Sequence, residues 1–390
     1  MTIGNVCDVV NGGTPKTGVS SYWDGPHQWI TPAEMGKRSS PYIDRTERTI
    51  TDEGLQNSSA RLLPPHSVIL SSRAPIGHLV INTEPMATNQ GCKGLIPGGR
   101  IDSKFLFYYL TSIVALLNDL GTGATFKELS GSKMKEVVVP VPPLPEQQRI
   151  VGILDEAFEG IATAKANAEK NLQNARALFE SHLQSVFTQR GEGWVEKTFG
   201  DVCGKITDGE HLRPKMTQSG VPFLSAKDVL DNGVIFSDCL YVSEVDAKKF
   251  RKRCDPDIGD ILMVSRGATV GRTCIVNTDR VFCLLGSVIL LKIGDDVLSP
   301  LIKYYLKSPL VRQRLMGLSE ASAQQAIYLR DIKPLGICFP KAIDKQQEII
   351  DRLDALNEET QRLESIYHQK LTALEALKRS LLNDAFMGAL

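Results

Sequence analysis

Gln147-Gln148-Arg149-Ile150 and Gln346-Gln347-Glu348-Ile349 lie 199 residues apart, and the reading of the whole chain starts from that offset. At the same spacing Leu154-Asp155 returns as Leu353-Asp354, Leu172 as Leu371, Leu178 as Leu377 and Phe187 as Phe386. A register that never slips over some forty residues marks an internal repeat, in which one structural unit is built twice. Upstream the offset drifts, as insertions require: Tyr108-Tyr109-Leu110 matches Tyr304-Tyr305-Leu306, and Ser72-Arg73 with Ile76-Gly77 matches Ser265-Arg266 with Val270-Gly271. Each half is therefore a variable block followed by a strongly matched one.

The matched blocks read as long helices. Leu353, Thr360, Tyr367, Leu374 and Leu381 recur every seven residues, with Leu356, Leu363, Lys370 and Leu377 on the second seam. The first block places Leu154, Ile161, Ala168, Ala175 and His182 on one seam, and Ala157, Ala164, Asn171 and Leu178 on the other. Pro145-Glu146 and Asp344 supply start signals. About forty residues at roughly 1.5 Å each make a rod near 60 Å. The small alanines predict close antiparallel pairing about a pseudo-twofold axis, with Asn171 and Lys370 at seam positions either fixing register or lying at the solvent edge.

Composition narrows the class of protein. The 390 residues carry 45 basic and 45 acidic side chains and are 42% hydrophobic, enough to bury sizeable cores in two or three domains. Charge by segment is +1 over 1–145, −1 over 146–190, +3 over 191–341 and −3 over 342–390. That bias is weak, but Lys248-Lys249-Phe250-Arg251-Lys252-Arg253 is a dense basic run. No apolar stretch approaches the roughly 20 residues of a membrane span, and no secretory signal opens the chain. Eight cysteines without a C-x-x-C pair predict buried thiols in a reducing, cytoplasmic setting, with neither disulfides nor a metal site.

The variable blocks read as mixed α and β. Val68 to Ser72, Leu79 to Ile81, Val137 to Val139, Ile261 to Val264 and Val288 to Leu291 are candidate strands, while Lys104 to Leu117 and Leu301 to Leu315 are candidate amphipathic helices. No phosphate-binding G-x-x-x-x-G-K-[ST] loop, H-E-x-x-H pair or Asn-Pro-Pro-aromatic segment is present. Asp257 and Asp260 before Arg266 could imitate a nuclease centre. What remains is binding chemistry. Ser72-Arg73 and Ser265-Arg266-Gly267-Ala268-Thr269 each put a guanidinium beside hydroxyls at the end of an apolar strand, and arginine forks onto guanine or phosphate. The loops Gly121 to Lys127 and Ser322 to Ala326 precede the last strand of each block and offer Thr125, Gln324 and Gln325 for base edges.

In this arrangement the chain resembles, over nearly its full length, the DNA-specificity subunit of type I restriction-modification systems. The resemblance is carried by Gly12-Gly13-Thr14-Pro15, Tyr22-Trp23-Asp24-Gly25, Trp29-Ile30-Thr31-Pro32, Ser72-Arg73-Ala74-Pro75-Ile76-Gly77 and the run from Val139 to Ile150 that leads into the long helix. It implies an α+β fold with two target-recognition domains, 1–145 and 191–341, and two antiparallel coiled-coil spacer helices, 146–190 and 342–390. It implies a non-catalytic subunit that reads a bipartite, asymmetric site on double-stranded DNA. Two methyltransferase subunits would supply S-adenosylmethionine chemistry, and restriction subunits would supply ATP- and Mg-dependent translocation and cleavage. A coiled-coil assembly scaffold without DNA selectivity is the alternative.

On this reading the DNA contacts are Thr14, Ser72, Arg73, Lys93, Thr125 and Lys127 in the first half. In the second half they are His211, Lys227, Ser265, Arg266, Thr269, Arg272, Gln324 and Gln325. Contacts to partner subunits fall to Glu146, Gln147, Leu154, Ile161, Gln346, Leu353, Tyr367 and Leu374. Two departures stand out. The first half begins at Ile3-Gly4 with no counterpart to Trp194, as a late translation start or a trimmed N-terminus would leave it. Asp208-Gly209-Glu210-His211 replaces the Gly-Gly-Thr-Pro segment, so that segment's role is not expected to carry over to the second half.

Overall fold

The apolar runs of each half assemble in the same spatial order. In the computed structural model, which describes all residues except 39, 74, 124–126, 213, 321–325 and 388–390, the first half's central sheet runs Cys7–Asn11, Cys92–Pro97, Val68–Ser71, Leu79–Asn82, Tyr42–Ile43. The second half repeats the first four as Cys203–Asp208, Val288–Ile293, Ile261–Val264 and Thr273–Ile275. Register agrees as well, since Val68 faces Leu95 as Ile261 faces Leu291. Val68–Ser71 and Ile261–Val264 are buried at every position, which explains why they read as unbroken hydrophobic runs rather than alternating ones. A smaller sheet is duplicated too: Trp23–Ile30 pairs in parallel with Met86–Thr88, and Val221–Leu224 with Cys283–Leu284. The fold is the expected mixture of α and β.

By its internal contacts the chain divides into two compact units, Met1–Glu169 with Gln369–Leu390, and Lys170–His368. Both divisions fall inside long helices, Leu144–Thr188 and Ile343–Met387, of 45 residues each. The helices run antiparallel within each unit. Lys165 Nζ meets Glu375 at 2.7 Å in the first, and Arg176 Nε meets Glu364 at 2.6 Å in the second.

Each helix is fixed at its start by a buried glutamine. Gln147 Oε1 accepts from the Asp102 amide at 2.9 Å, while Nε2 donates to the carbonyls of Arg100 and Pro142. Gln346 does the same with the Leu298 amide and the carbonyls of Asp296 and Pro340. Two turns on, the phenols of Tyr108 and Tyr304 donate to Asp155 and Asp354, and burial followed by that hydrogen bond pushes both phenols up from their usual range. The helix ends are exchanged between halves. Phe386, closing the second helix, packs edge-on to Tyr109 at 5.3 Å, and Phe187, closing the first, packs edge-on to Tyr305 at 5.2 Å.

Three expectations need correction. The heptad seams hold only part of the way: Leu178 and Leu377 are exposed, whereas Leu172, Ala175 and Leu183 are buried, and of the two readings for Asn171 and Lys370 it is the solvent edge that holds. A straight α-helix drifts by roughly 20° per heptad against a 3.5-residue repeat, so the buried stripe advances in steps nearer 3.67. Because the exposed pairs are themselves related by the repeat, both helices drift at the same place. The candidate helices around 104–117 and 301–315 are each broken in two. The first stops at Ser112 and resumes at Val114, and the second stops at Lys307, where Pro309 forces Ser308 to an extended ψ of 142°. Finally, Val137–Val139 forms only an isolated bridge, Thr2 to Val138, while its counterpart Gly336–Pro340 is a full strand against Trp194–Thr198.

All eight cysteines are free and buried, and burial pushes the thiols of Cys7, Cys92, Cys203, Cys254 and Cys274 up to about 12. Among the described residues no helix is long and apolar enough to cross a membrane. The revised stripe makes a direct test. Leu353→Ala empties a fully buried site and is expected to cost about 2–5 kcal/mol. Leu377→Ala, at a position the heptad reading treats as equally apolar, is expected to change stability by no more than about 0.5 kcal/mol. Urea denaturation of the two variants measures both.

Candidate nucleic-acid interface

The candidate interface is built at the end of the central sheet, and the same backbone builds it in each unit. In the first unit Asn11-Gly12-Gly13-Thr14 leaves the edge strand, with Gly12 N–H donating to Cys92 O at 3.2 Å and Gly13 N–H to Thr88 O at 2.8 Å. A Cβ on Gly12 would sit 2.0 Å from Asn89 O, so only glycine permits this approach. In the second unit Gly209 N–H donates to Val288 O at 3.1 Å and Glu210 N–H to Leu284 O at 2.8 Å. A Cβ on Gly209 would lie 2.1 Å from Leu284 O. Asp208-Gly209-Glu210-His211 therefore keeps the backbone role of Gly12-Gly13 after all, with one glycine sufficing, and His211 stands where Thr14 does.

The arginines follow the same rule. Ser72 N–H donates to Gly91 O and Ser72 O accepts from Leu129 N–H, as Ser265 N–H donates to Ser287 O and Ser265 O accepts from Ile327 N–H. Ser72 and Ser265 are thus buried strand ends that aim the next residue outward, not exposed hydroxyls as expected. What the arginines meet differs between the units. Arg73 is paired with Glu128 at 2.9 Å, and Lys93, also expected on the surface, is buried with its Nζ 3.8 Å from Glu128. Burial lowers the Lys93 ammonium from its usual value, and Glu128 opposes that shift. In the second unit the residue facing Arg266 across the bridge is Ala326, and the Arg266 guanidinium lies 5.8 Å over the ring of Tyr328. Arg330 stacks on the same ring at 4.9 Å. Together with Asp208, His211 and Ser265 these residues line a cleft of about 310 Å³.

The remaining predicted contacts scatter. Thr14 Oγ1 donates to Gln90 and accepts from Asn89 Nδ2 at 2.9 Å, close to Gly91. Lys127 is exposed and reaches Asn118 O at 3.5 Å, and Lys227 donates to Asp238 O at 2.7 Å. Thr269 and Arg272, contiguous in sequence with Arg266, open instead into a separate cleft of about 480 Å³ with Phe179, Glu180 and Lys307. Thr125, Gln324 and Gln325 lie outside the described residues. Asp257 and Asp260 both hold Lys292 Nζ, at 2.7 and 2.8 Å, which accounts for these two acids as an ion-pair network. Among the described residues no cluster of metal-ligating side chains occurs.

Of the residues expected to meet partner subunits, Gln147, Gln346, Leu154 and Leu353 are fully buried and already used inside the chain. They are a correction to the sequence reading: both amide hydrogens of each glutamine are already donated to backbone carbonyls, and burial keeps all four side chains out of a partner's reach. Ile161, Tyr367 and Leu374 are half-buried along the helix stripe, and Glu146 pairs with Arg149 at 2.8 Å on the surface. Sequence reasoning missed Glu128, Tyr328 and Arg330. The first carries no local signal, because strand register alone brings it to Arg73. The aromatic-basic spacing of Tyr328 and Arg330 was readable.

Two matching sheet ends on one duplicated scaffold, each unit joined to paired long helices, define a class of internally duplicated two-unit proteins. The chain belongs to the family described as the type I restriction modification DNA specificity domain, whose model matches residues 1–173 and 191–373. It is 31% identical to the MjaIX specificity subunit of Methanocaldococcus jannaschii over 64% of this chain, an alignment spanning 62% of that relative. It is 23% identical to the EcoBI specificity subunit of Escherichia coli over 84% of this chain and 74% of the relative. In fold it resembles a solved chain from work on complex assembly and conformational transition of a type I R-M system, with a TM-score of 0.81, 20% identity and coverage of 100% and 97%. It also resembles the HsdS subunit of Thermoanaerobacter tengcongensis, with a TM-score of 0.62, 20% identity and coverage of 100% and 96%.

The contrast between Arg73 and Arg266 is testable by stability. Glu128→Ala leaves Lys93 buried beside Arg73 with no counter-charge, and is expected to cost about 1–3 kcal/mol. Adding Lys93→Met is expected to recover most of that loss, as read from the denaturation midpoint.

Proposed function

We propose that the chain is the DNA-reading subunit of a type I restriction-modification complex, and that it contributes recognition rather than catalysis. One observation carries the reading: the sheet-end backbone is duplicated hydrogen bond for hydrogen bond, yet presents Thr14 with an Arg73–Glu128 pair in one unit and His211 with Arg266, Tyr328 and Arg330 in the other. An identical frame with different side chains suits a two-part, asymmetric site. Each arginine approaches a base edge in the major groove, where a guanidinium forks onto guanine O6 and N7. Among the described residues Arg266 pairs with no carboxylate, and it donates directly. Arg73 shares its charge with Glu128, whose oxygens accept hydrogen bonds as a cytosine amine requires.

The paired helices set the distance between the half-sites, each about 67 Å long at roughly 1.5 Å per residue. Their outward faces recruit modification subunits, which carry the methyl donor, and restriction subunits, which carry ATP and Mg. The chain by itself transfers no methyl group and cuts no DNA.

Arg266→Ala is expected to weaken discrimination at one half-site by about 1–3 kcal/mol while leaving the other intact. Methylation mapping of host DNA reads this directly, and an unchanged motif would contradict the role. A matched four-residue deletion in both long helices removes about 6 Å of rise, so the nonspecific spacer is expected to shorten by about 2 base pairs. Methylation at the original spacing would refute the ruler.

A further inference from the structure

The basic run singled out in the sequence is not absorbed by the cleft around Arg266. It forms the end of the helix Glu244–Arg251 and the residues just after it. Ser243 caps the helix by accepting from Asp246 N–H, and Ala247 is buried with Phe250 against Val221, Phe223, Val242 and Cys283. That anchoring turns the lysines outward. Arg251 is occupied, donating to the carbonyls of Phe282 and Pro256, and Arg253 pairs with Asp208. Lys248, Lys249 and Lys252 are exposed, and their side chains make no ion pair or hydrogen bond among the described residues.

Among the described residues no carboxylate forms an ion pair with them. Glu244 stands one turn before Lys248 without pairing to it, and Asp246 accepts from Ser243. Cations in a last turn complement the helix dipole, but that modest effect does not call for three crowded together. The patch is also contiguous with the reading cleft, because Asp208 holds both Arg253 and His211, and His211 lines that cleft. In the first unit the corresponding helix, Asp52–Gln56, opens with two acids and has no basic residue. The patch therefore belongs to one half only.

We propose that Lys248, Lys249 and Lys252 form a clamp on the phosphates of duplex DNA beside the half-site read by the second unit, adding affinity without sequence preference. This rests on the DNA-reading function above. Three flexible ammonium groups on an exposed helix end fit a line of phosphates, whereas base discrimination needs fixed, forked donors. Each phosphate neutralised contributes about 0.9 to the slope of log affinity against log salt.

The test measures binding of the full-length chain to two duplexes between 50 and 200 mM salt, one carrying the site mapped by methylation and one scrambled. The triple variant Lys248→Ala, Lys249→Ala, Lys252→Ala is expected to lose roughly 2–3 from the salt slope on both duplexes, with the ratio between them preserved. The triple Lys→Arg variant is expected to keep the parent slope, and unchanged thermal unfolding confirms that both variants fold. An unchanged slope overturns the clamp, as does a loss confined to the mapped duplex. A slope that stays put while co-purification of partner subunits falls assigns the patch to an acidic protein surface and also overturns it. If the parent chain itself does not distinguish the duplexes, it is the reading function that fails.

Discussion

Everything else in the molecule depends on two buried carboxamides. Gln147 and Gln346 each satisfy one amide and two carbonyls that would otherwise be stranded where a long helix leaves its sheet. A buried polar group without a partner costs on the order of 1–3 kcal/mol, so the carboxamide fits one orientation well and others poorly. That fixes the exit of the helix, and the Tyr108–Asp155 and Tyr304–Asp354 bonds repeat the constraint two turns later. With both exits fixed, the antiparallel stripe and the exchanged Phe386 and Phe187 follow.

This division of labour explains why the matched and variable blocks evolved such different appearances within one chain. The matched residues are those whose geometry must agree between the halves: the glutamine, the tyrosine pair and the closing phenylalanine. The sheet ends need only agree in backbone. Gly12 and Gly209 pass equally close to a neighbouring carbonyl, and the serines before each arginine make equivalent main-chain bonds. Side chains beyond those points are free to differ. Glu128 against Ala326, and Thr14 against His211, change the chemistry without disturbing the frame.

The neutral total charge conceals a related asymmetry. Among the described residues the second unit crowds three lysines without ion-pair partners, Lys248, Lys249 and Lys252, at and just beyond the end of one helix, while the first opens the corresponding helix with Asp52 and Glu53. The two halves thus differ in how charge is distributed as well as in the groups that line their edges. A formal sum over the chain could not reveal this, because the long helices carry much of the compensating acid on their own surfaces.

The sequence by itself determined the duplication, the long helices, the strand runs at 68–72, 79–81, 261–264 and 288–291 to within one or two residues, and the two arginines as paired candidates. These are local or periodic signals, and a repeat converts each into two independent observations. Tertiary structure alone decided burial and partnership. A heptad drawn on paper cannot say where a straight helix drifts off its seam, so Leu178 and Leu377 read as core and are not. Nor can it say that Gln147 and Gln346 point inward, that Lys93 is covered, or that Glu128 reaches Arg73 across strands. Those outcomes depend on register between segments far apart in the chain, where the physics of packing and desolvation acts and no short stretch of sequence carries the information.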